Sequence, residues 1–193
     1  MSNFRTLIGI CLAVFILVCL YFDCICILYI GFNLAIKYDA GYMWYMLGTN
    51  FFATAAFLLV MELFNYLLLQ LYYWNAYLVI KIIIIAQVSD VYQYIAGTKF
   101  GRNKIGWISQ NKTYEGYVIG WMLTVLTFYL FGGFYKISAI YLLGVIGGLC
   151  SSFFKRFLCI KDYSNLLGPH GGWIDRIDSI ILPLVVSWFG FFN

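Results

Sequence analysis

Between Ser152 and Asp178 an otherwise apolar chain changes character. The stretch holds Ser152, Lys155 and Arg156, then Lys161 and Asp162, then Gly168-Pro169-His170-Gly171-Gly172, and finally Asp175, Arg176 and Asp178. Ser152, Lys155 and Arg156 stand at i, i+3 and i+4, which places them on one face of a helix. Two cations and a hydroxyl in that arrangement suit a phosphate-bearing ligand, because ammonium and guanidinium groups give phosphate oxygens charge-assisted hydrogen bonds. The Pro-His-Gly-Gly run permits sharp turns and close approach of backbone to a ligand. Asp175 and Asp178 lie one helical turn apart and offer the hard oxygens that Mg2+ takes alongside phosphate. His170, the single histidine, reads equally as structural or functional. Any one of these residues could be a snorkelling cation or an interfacial cap. Alternating cations, carboxylates and paired glycines in so short a stretch exceed what a structural loop needs.

The elements that must position these residues are membrane helices. The 193 residues are 64% hydrophobic and 10% charged, with a mean hydropathy of +0.88. A soluble domain carries charge on roughly a quarter of its residues, so lipid must be the solvent here. Apolar runs over 6–22, 24–37, 50–70, 72–97, 117–134, 137–155 and 177–192 give an all-α, polytopic integral membrane protein of about seven transmembrane helices. The first two runs, separated by Asp23, would form one helix of about 46 Å against a hydrocarbon core of about 30 Å, so a hairpin near Asp23 is expected. The first run lacks a small-x-small cleavage site and reads as retained. The six cysteines sit in or beside apolar runs and imply neither a disulfide framework nor a zinc site.

The cations orient this layout. Arg5, Lys37, Lys99, Arg102, Lys104, Lys112, Lys155, Arg156, Lys161 and Arg176 fall on one side, ten of the twelve basic residues. Lys136 falls on the other, and Lys81 lies within a span. The positive-inside rule makes the first side cytoplasmic. Polar segments 98–116 and 156–176 then share the cytoplasmic face, since the antiparallel spans between them return the chain to the same side. Glu62 and Lys81, inside spans, are expected to pair or to line a lipid-headgroup cavity, because a lone charge there costs at least ~2.5 kcal/mol. Tyr and Trp read mostly as interface anchors. Charge gathered at one face disfavours a transporter.

The string S-x-x-K-R-x4-K-D-x-S-x2-L-G-x-H-G-G-x-x-D-R-x-D, from Ser152 to Asp178, resembles the signature of the phosphatidate cytidylyltransferase family. Two looser likenesses lie upstream. Asp90-Val-Tyr-Gln93-Tyr94-Ile-Ala-Gly97-Thr-Lys-Phe100-Gly101 follows a family pattern with Gln93 in place of alanine. Ser109-Gln110-Asn-Lys112-Thr113-Tyr-Glu115-Gly116 follows another with Gln110 in place of proline. The likeness covers about residues 86–193, a catalytic transmembrane region, and leaves 1–85 as N-terminal transmembrane helices in the same membrane domain.

The resemblance implies transfer of a cytidylyl group from CTP to phosphatidic acid, giving CDP-diacylglycerol and pyrophosphate in phospholipid biosynthesis. It implies a cytoplasm-facing site in the cell (inner) membrane, and Mg2+ held by Asp175 and Asp178. Catalytic roles fall to Ser152, Lys155, Arg156, Asp175 and Asp178. Substrate contacts fall to Lys161, Asp162, His170, Gly171, Gly172, Arg176, Asp90, Lys112, Thr113 and Glu115. The partners are CTP, phosphatidic acid and membrane lipid; nucleic acid is not expected, and a homodimer is left open. One departure stands out. Where the family carries G-D-L-x-E-S, thought to include a metal-binding aspartate, this chain reads Gly147-Gly148-Leu149-Cys150-Ser151-Ser152. Gly144 and Gly148 also form a G-x-x-x-G, a helix-packing pattern. Two further readings follow: a CDP-lipid synthase for another lipid phosphate, such as an isoprenoid ether lipid, and a degenerate lipid-binding homologue. An aspartate returned to position 148 is expected, on the resemblance, to raise metal affinity.

Overall fold

The structure, a computed structural model, describes residues 25–47, 51–106, 109–166 and 171–192. The expected span 6–22, the turn near Asp23 and His170 lie outside the described residues. Among the described residues four helices dominate: α1 (Ile25–Leu47), α2 (Phe51–Phe100), α3 (Tyr114–Phe157) and α4 (Ile174–Trp188). Two of them, over Leu58–Phe100 and Tyr114–Phe157, are long and apolar enough to cross a membrane.

Both long helices are interrupted. In α2 the break is Asn75, with φ −156° and ψ 79°. Its side-chain Oδ1 accepts from the Leu78 N–H at 3.0 Å, so Asn75 caps a fresh helix in the manner its short amide favours. In α3 the break is Gly133, with φ 70° and ψ 162°, a region that glycine alone enters cheaply. Tyr117 and Tyr141, 24 residues apart, would be about 36 Å apart along a continuous helix. Instead the Tyr141 hydroxyl donates to the Tyr117 carbonyl at 2.7 Å, and Trp121 Nε1 donates to Ser138 Oγ at 3.1 Å. Helix α3 is therefore two antiparallel arms folded at Gly133.

The chain divides into two compact units. One holds Ile160–Arg176 with the described part of Met1–Leu69; the other holds Gln70–Cys159 and Ile177–Asn193. In the second unit Ile82, Ile85, Ala86, Ile137 and Ile140 are buried. Glycines let its helices meet at backbone distance. A Cβ on Gly120 would fall 2.8 Å from Gln93 Cγ, and one on Gly116 would fall 3.0 Å from the Gln93 carbonyl. Gln93, larger than alanine, thus lies against a glycine that leaves it room. Outward from this core, Leu126, Leu130 and Phe189 are exposed, a poor surface for water and a suitable one for acyl chains. In the first unit Ile36, Ala40, Met43, Phe64, Ile160, Tyr163 and Ile174 are buried.

Among the described residues the structure departs from the all-α expectation in one place. Lys104–Ile105 (β1) pairs antiparallel with Ser109–Thr113 (β2), with Gly106 at φ +48° in the turn. This polar connection satisfies its backbone by a short ladder where it has no apolar face for a helix to bury. Helix α1 runs to Leu47, ten residues past the expected end at 37, because Asp39 is buried and not solvated. Lys81 donates to the carbonyl of Phe131, at the end of the first α3 arm. The last carbonyls of a helix lack partners within it and carry negative dipole charge, so they attract a cation.

Candidate active site

Within the second unit, polar side chains converge from four elements. Asp90 of α2 accepts from Ser179 Oγ of α4 at 2.6 Å. The Tyr117 hydroxyl of α3 is buried without a hydrogen-bond partner and feels the charges of Asp90 and Asp178. Lys112, at the end of β2, lies with its ammonium 5.9 Å from the centre of the Tyr117 ring. The bare backbone of Gly148 makes room for that ammonium: a Cβ there would sit 3.2 Å from Lys112 Nζ. Gly147 would place a Cβ 2.7 Å from the Asp178 carbonyl, and Gly144 would place one 3.2 Å from the Ser179 carbonyl. The packing pair of α3 against α4 is thus Gly144 and Gly147, and Gly148 faces a lysine.

The C-terminal end of α3 supplies two further cations, Lys155 and Arg156. Ser152 Oγ donates to the Gly148 carbonyl one turn back at 2.8 Å. Lys155 is buried and Arg156 exposed, so these two adjacent cations differ in the side they face. Thr113 and Glu115 hold local structure. Thr113 Oγ1 accepts from the Gly116 N–H at 3.1 Å as the N-cap of α3. Its side chain also fills the space in front of Gly97 and Gly101. The Glu115 carboxylate accepts from the N–H groups of Arg102 and Asn103, each at 3.2 Å, and from Asn103 Nδ2 at 2.7 Å. It fixes the approach to β1.

In the first unit the glycine pair meets two carboxylates. Asp175 Oδ2 accepts from the Gly172 N–H at 2.8 Å and the Tyr163 N–H at 3.0 Å. Gly171 has φ +79°, and a Cβ there would stand 2.9 Å from Asp175 Oδ2 and 3.2 Å from Asp162 Cβ. Both the positive φ and the crowding require glycine. Lys161 and Arg176 are exposed and Asp162 half-buried, so the loop presents its charges around a rigid turn. Asp39, just beyond the expected second span, is also part of this arrangement. Burial pushes its carboxyl above the ordinary range, while bonds from the Ile174 N–H and the Ser164 hydroxyl pull it down; the charge of Asp175 adds to the upward push.

Sequence reading assigned no role to Asp39, Ser164 or Tyr117. Ser164 stands within the signature string. Tyr117 is one of 17 tyrosines, and nothing in its spacing separates it from an interface anchor. An acid beside an apolar run was the one available signal for Asp39.

Carboxylates, a buried unpartnered hydroxyl and a lysine thus gather in a largely apolar helical core of a membrane protein. The model of the cytidylyltransferase family matches residues 1–192, and the chain belongs to that family. It is similar to the phosphatidate cytidylyltransferase of Aquifex aeolicus, 31% identical over 146 residues that cover 72% of this chain and 56% of the relative. Against the Haemophilus influenzae phosphatidate cytidylyltransferase the identity is 34% over 137 residues, covering 62% of this chain and 46% of the relative. Against the Mycobacterium tuberculosis one it is 39% over 113 residues, covering 52% and 34%. The chain spans about half the length of the curated relatives it matches.

Proposed function

We propose that this protein transfers a cytidylyl group from CTP to phosphatidic acid. A phosphate oxygen of the lipid attacks the α-phosphorus of CTP, the bond to the β-phosphate oxygen breaks, and CDP-diacylglycerol and pyrophosphate leave. The observation that carries this reading is the group Asp90, Lys112, Tyr117, Asp178 and Ser179 inside a largely apolar helical core. Charged groups cost too much in such a core to stand there without use. Membership of the family and the similarity to phosphatidate cytidylyltransferases name the chemistry.

The protein forms no covalent intermediate in this scheme; it aligns two anions and offsets their charge. Lys112, Lys155, Arg156, Lys161 and Arg176 hold phosphate groups. Ser152 adds a hydroxyl donor. Gly171 and Gly172 let Asp39, Asp162, Ser164 and Asp175 pack close around their turn. Among the described residues no three His, Cys, Asp or Glu side chains group into a metal site. Mg2+ needs no such cage, since it is held by one or two carboxylates with substrate phosphates. Asp178 and Asp90, whose charges both reach the buried Tyr117 hydroxyl, fit that donor set. Asp175, whose Oδ2 the Gly172 and Tyr163 amides hold, is a further candidate carboxylate within the 160–176 loop. When bound, Mg2+ supplies positive charge to the triphosphate oxygens. We further propose about seven spans in the cell (inner) membrane, with the signature loop facing the cytoplasm.

The test is CTP-dependent formation of CDP-diacylglycerol and pyrophosphate by the purified full chain in detergent. Asp175→Asn should abolish turnover with the loop intact, because its amide oxygen keeps the two backbone hydrogen bonds while the charge is lost. Transfer to an isoprenoid ether phosphate alone would replace the lipid substrate in this reading. No transfer to any lipid phosphate would refute the reading.

A further inference from the structure

We infer that Asp39, on α1, is a positioning residue for the 160–176 loop; this rests on the proposed nucleotide-binding role of that loop. Helix α4 begins at Ile174, and the residues before it, Gly171, Gly172 and Trp173, carry no side-chain oxygen to cap it. A helix start leaves its first N–H groups unpartnered unless something accepts from them. The acceptor comes from 135 residues away: Asp39 Oδ2 takes the Ile174 N–H at 3.0 Å.

The other Asp39 oxygen is engaged by the same loop. Ser164 Oγ donates to Oδ1, and that hydroxyl itself accepts from the Leu166 N–H at 3.2 Å. Gly172 leaves the space this needs, since a Cβ there would stand 2.7 Å from Asp39 Oδ2 and 2.9 Å from Ser164 Oγ. A second tie joins the same two elements, from Asn165 Nδ2 to the Tyr42 hydroxyl at 2.9 Å.

Asp39 is fully buried, 0% exposed, and a carboxylate is taken out of water only when its oxygens are satisfied. Its partners Ser164 and Ile174 lie on the two described ends of the loop, so satisfying them holds those ends together. Asp175 clamps Gly172 and Tyr163 from within the loop, and Asp39 clamps Ser164 and Ile174 from the helix beside it. Lys161 and Asp162 stand directly before the clamped Tyr163 and Ser164, and Arg176 directly follows Asp175. Charges that meet a phosphate must be held in place before it arrives, because misplacement of an ångström costs orders of magnitude in rate.

The experiment compares full-length wild type, Asp39→Ala, Asp39→Asn and the milder Ser164→Ala in detergent. It records kcat and KM for CTP, hydrogen exchange across residues 160–176, and the fraction folded. Asp39→Ala is expected to lower kcat/KM for CTP at least tenfold per folded molecule and to lose exchange protection in the loop. Asp39→Asn, which retains an acceptor, should recover most of both, and Ser164→Ala should fall between them at near wild-type stability. Unchanged kcat/KM per folded molecule in Asp39→Ala and Ser164→Ala, or a loop still protected in both, would overturn the inference. If the wild type transfers no cytidylyl group, the functional reading fails, and exchange still decides whether Asp39 holds the loop.

Discussion

Gly148→Asp puts a carboxylate where this chain differs from the family pattern, and the structure sets the sign of the result. The new Cβ would stand 3.2 Å from Lys112 Nζ. Carboxylate oxygens lie two bonds beyond Cβ, so an ion pair with the half-buried lysine can form without moving either helix. At an effective dielectric near 20, unit charges about 4 Å apart attract by about 4 kcal/mol. Desolvation and lost rotamer freedom reduce this to a net of about 1–3 kcal/mol. A lysine neutralised in this way no longer serves a CTP phosphate, and each 1.4 kcal/mol is about tenfold in affinity. We therefore expect the KM for CTP to rise by about 5- to 100-fold with an unchanged Mg2+ requirement, against the metal gain expected from the resemblance. The assay is initial-rate kinetics over CTP and Mg2+ titrations for wild type, Gly148→Asp and Gly148→Ala. Gly148→Ala is the packing control and should cost less than about 1 kcal/mol, because only the flexible end of a lysine has to shift. A lower Mg2+ requirement with unchanged KM in Gly148→Asp would refute the reasoning and make position 148 a vacant metal-ligand position.

Three further expectations follow from the same geometry. Gly147→Ala drives a Cβ to 2.7 Å from the Asp178 carbonyl, and overpacking against backbone should lower thermal stability by about 1–3 kcal/mol; a melting temperature equal to that of Gly148→Ala would contradict it. Cys159 sits at φ +58° just past the end of α3, where glycine carries no steric penalty, so Cys159→Gly should raise stability by about 1 kcal/mol in thermal unfolding. An impermeant thiol reagent on intact cells should label a cysteine placed at Lys136 and spare one at Lys104; the reverse pattern would invert the proposed topology.

Much of the local architecture was legible because membrane helices announce themselves. Apolar runs must be long enough to cross and must satisfy their own backbone, so length called for a break in each long helix. The break in α3 falls at Gly133, at the end of the expected span 117–134, while that in α2 falls at Asn75, inside the expected span 72–97. The signature residues were visible because charge and glycine are costly in an apolar chain, and nothing else there explains them. The β1–β2 hairpin escaped, since a two-residue strand has no periodicity to read.

What no local pattern could give is which side chain meets which. Gly148 and Gly144 have the same spacing as a packing pair, yet Lys112, brought in from 36 residues earlier, decides that Gly148 faces a charge and Gly147 a carbonyl. Thr113 and Glu115 read as possible ligand contacts, and the fold occupies both with capping and hairpin bonds. Asp39 had no role readable from the sequence; its partners, Ser164 and the start of α4, lie 125 and 135 residues away in the chain. Composition and periodicity determined that lipid is the solvent and that helices carry the chain. Tertiary structure alone decided the partners of each buried charge, because a charge in a low-dielectric interior is set by the few groups that touch it, wherever in the chain they lie.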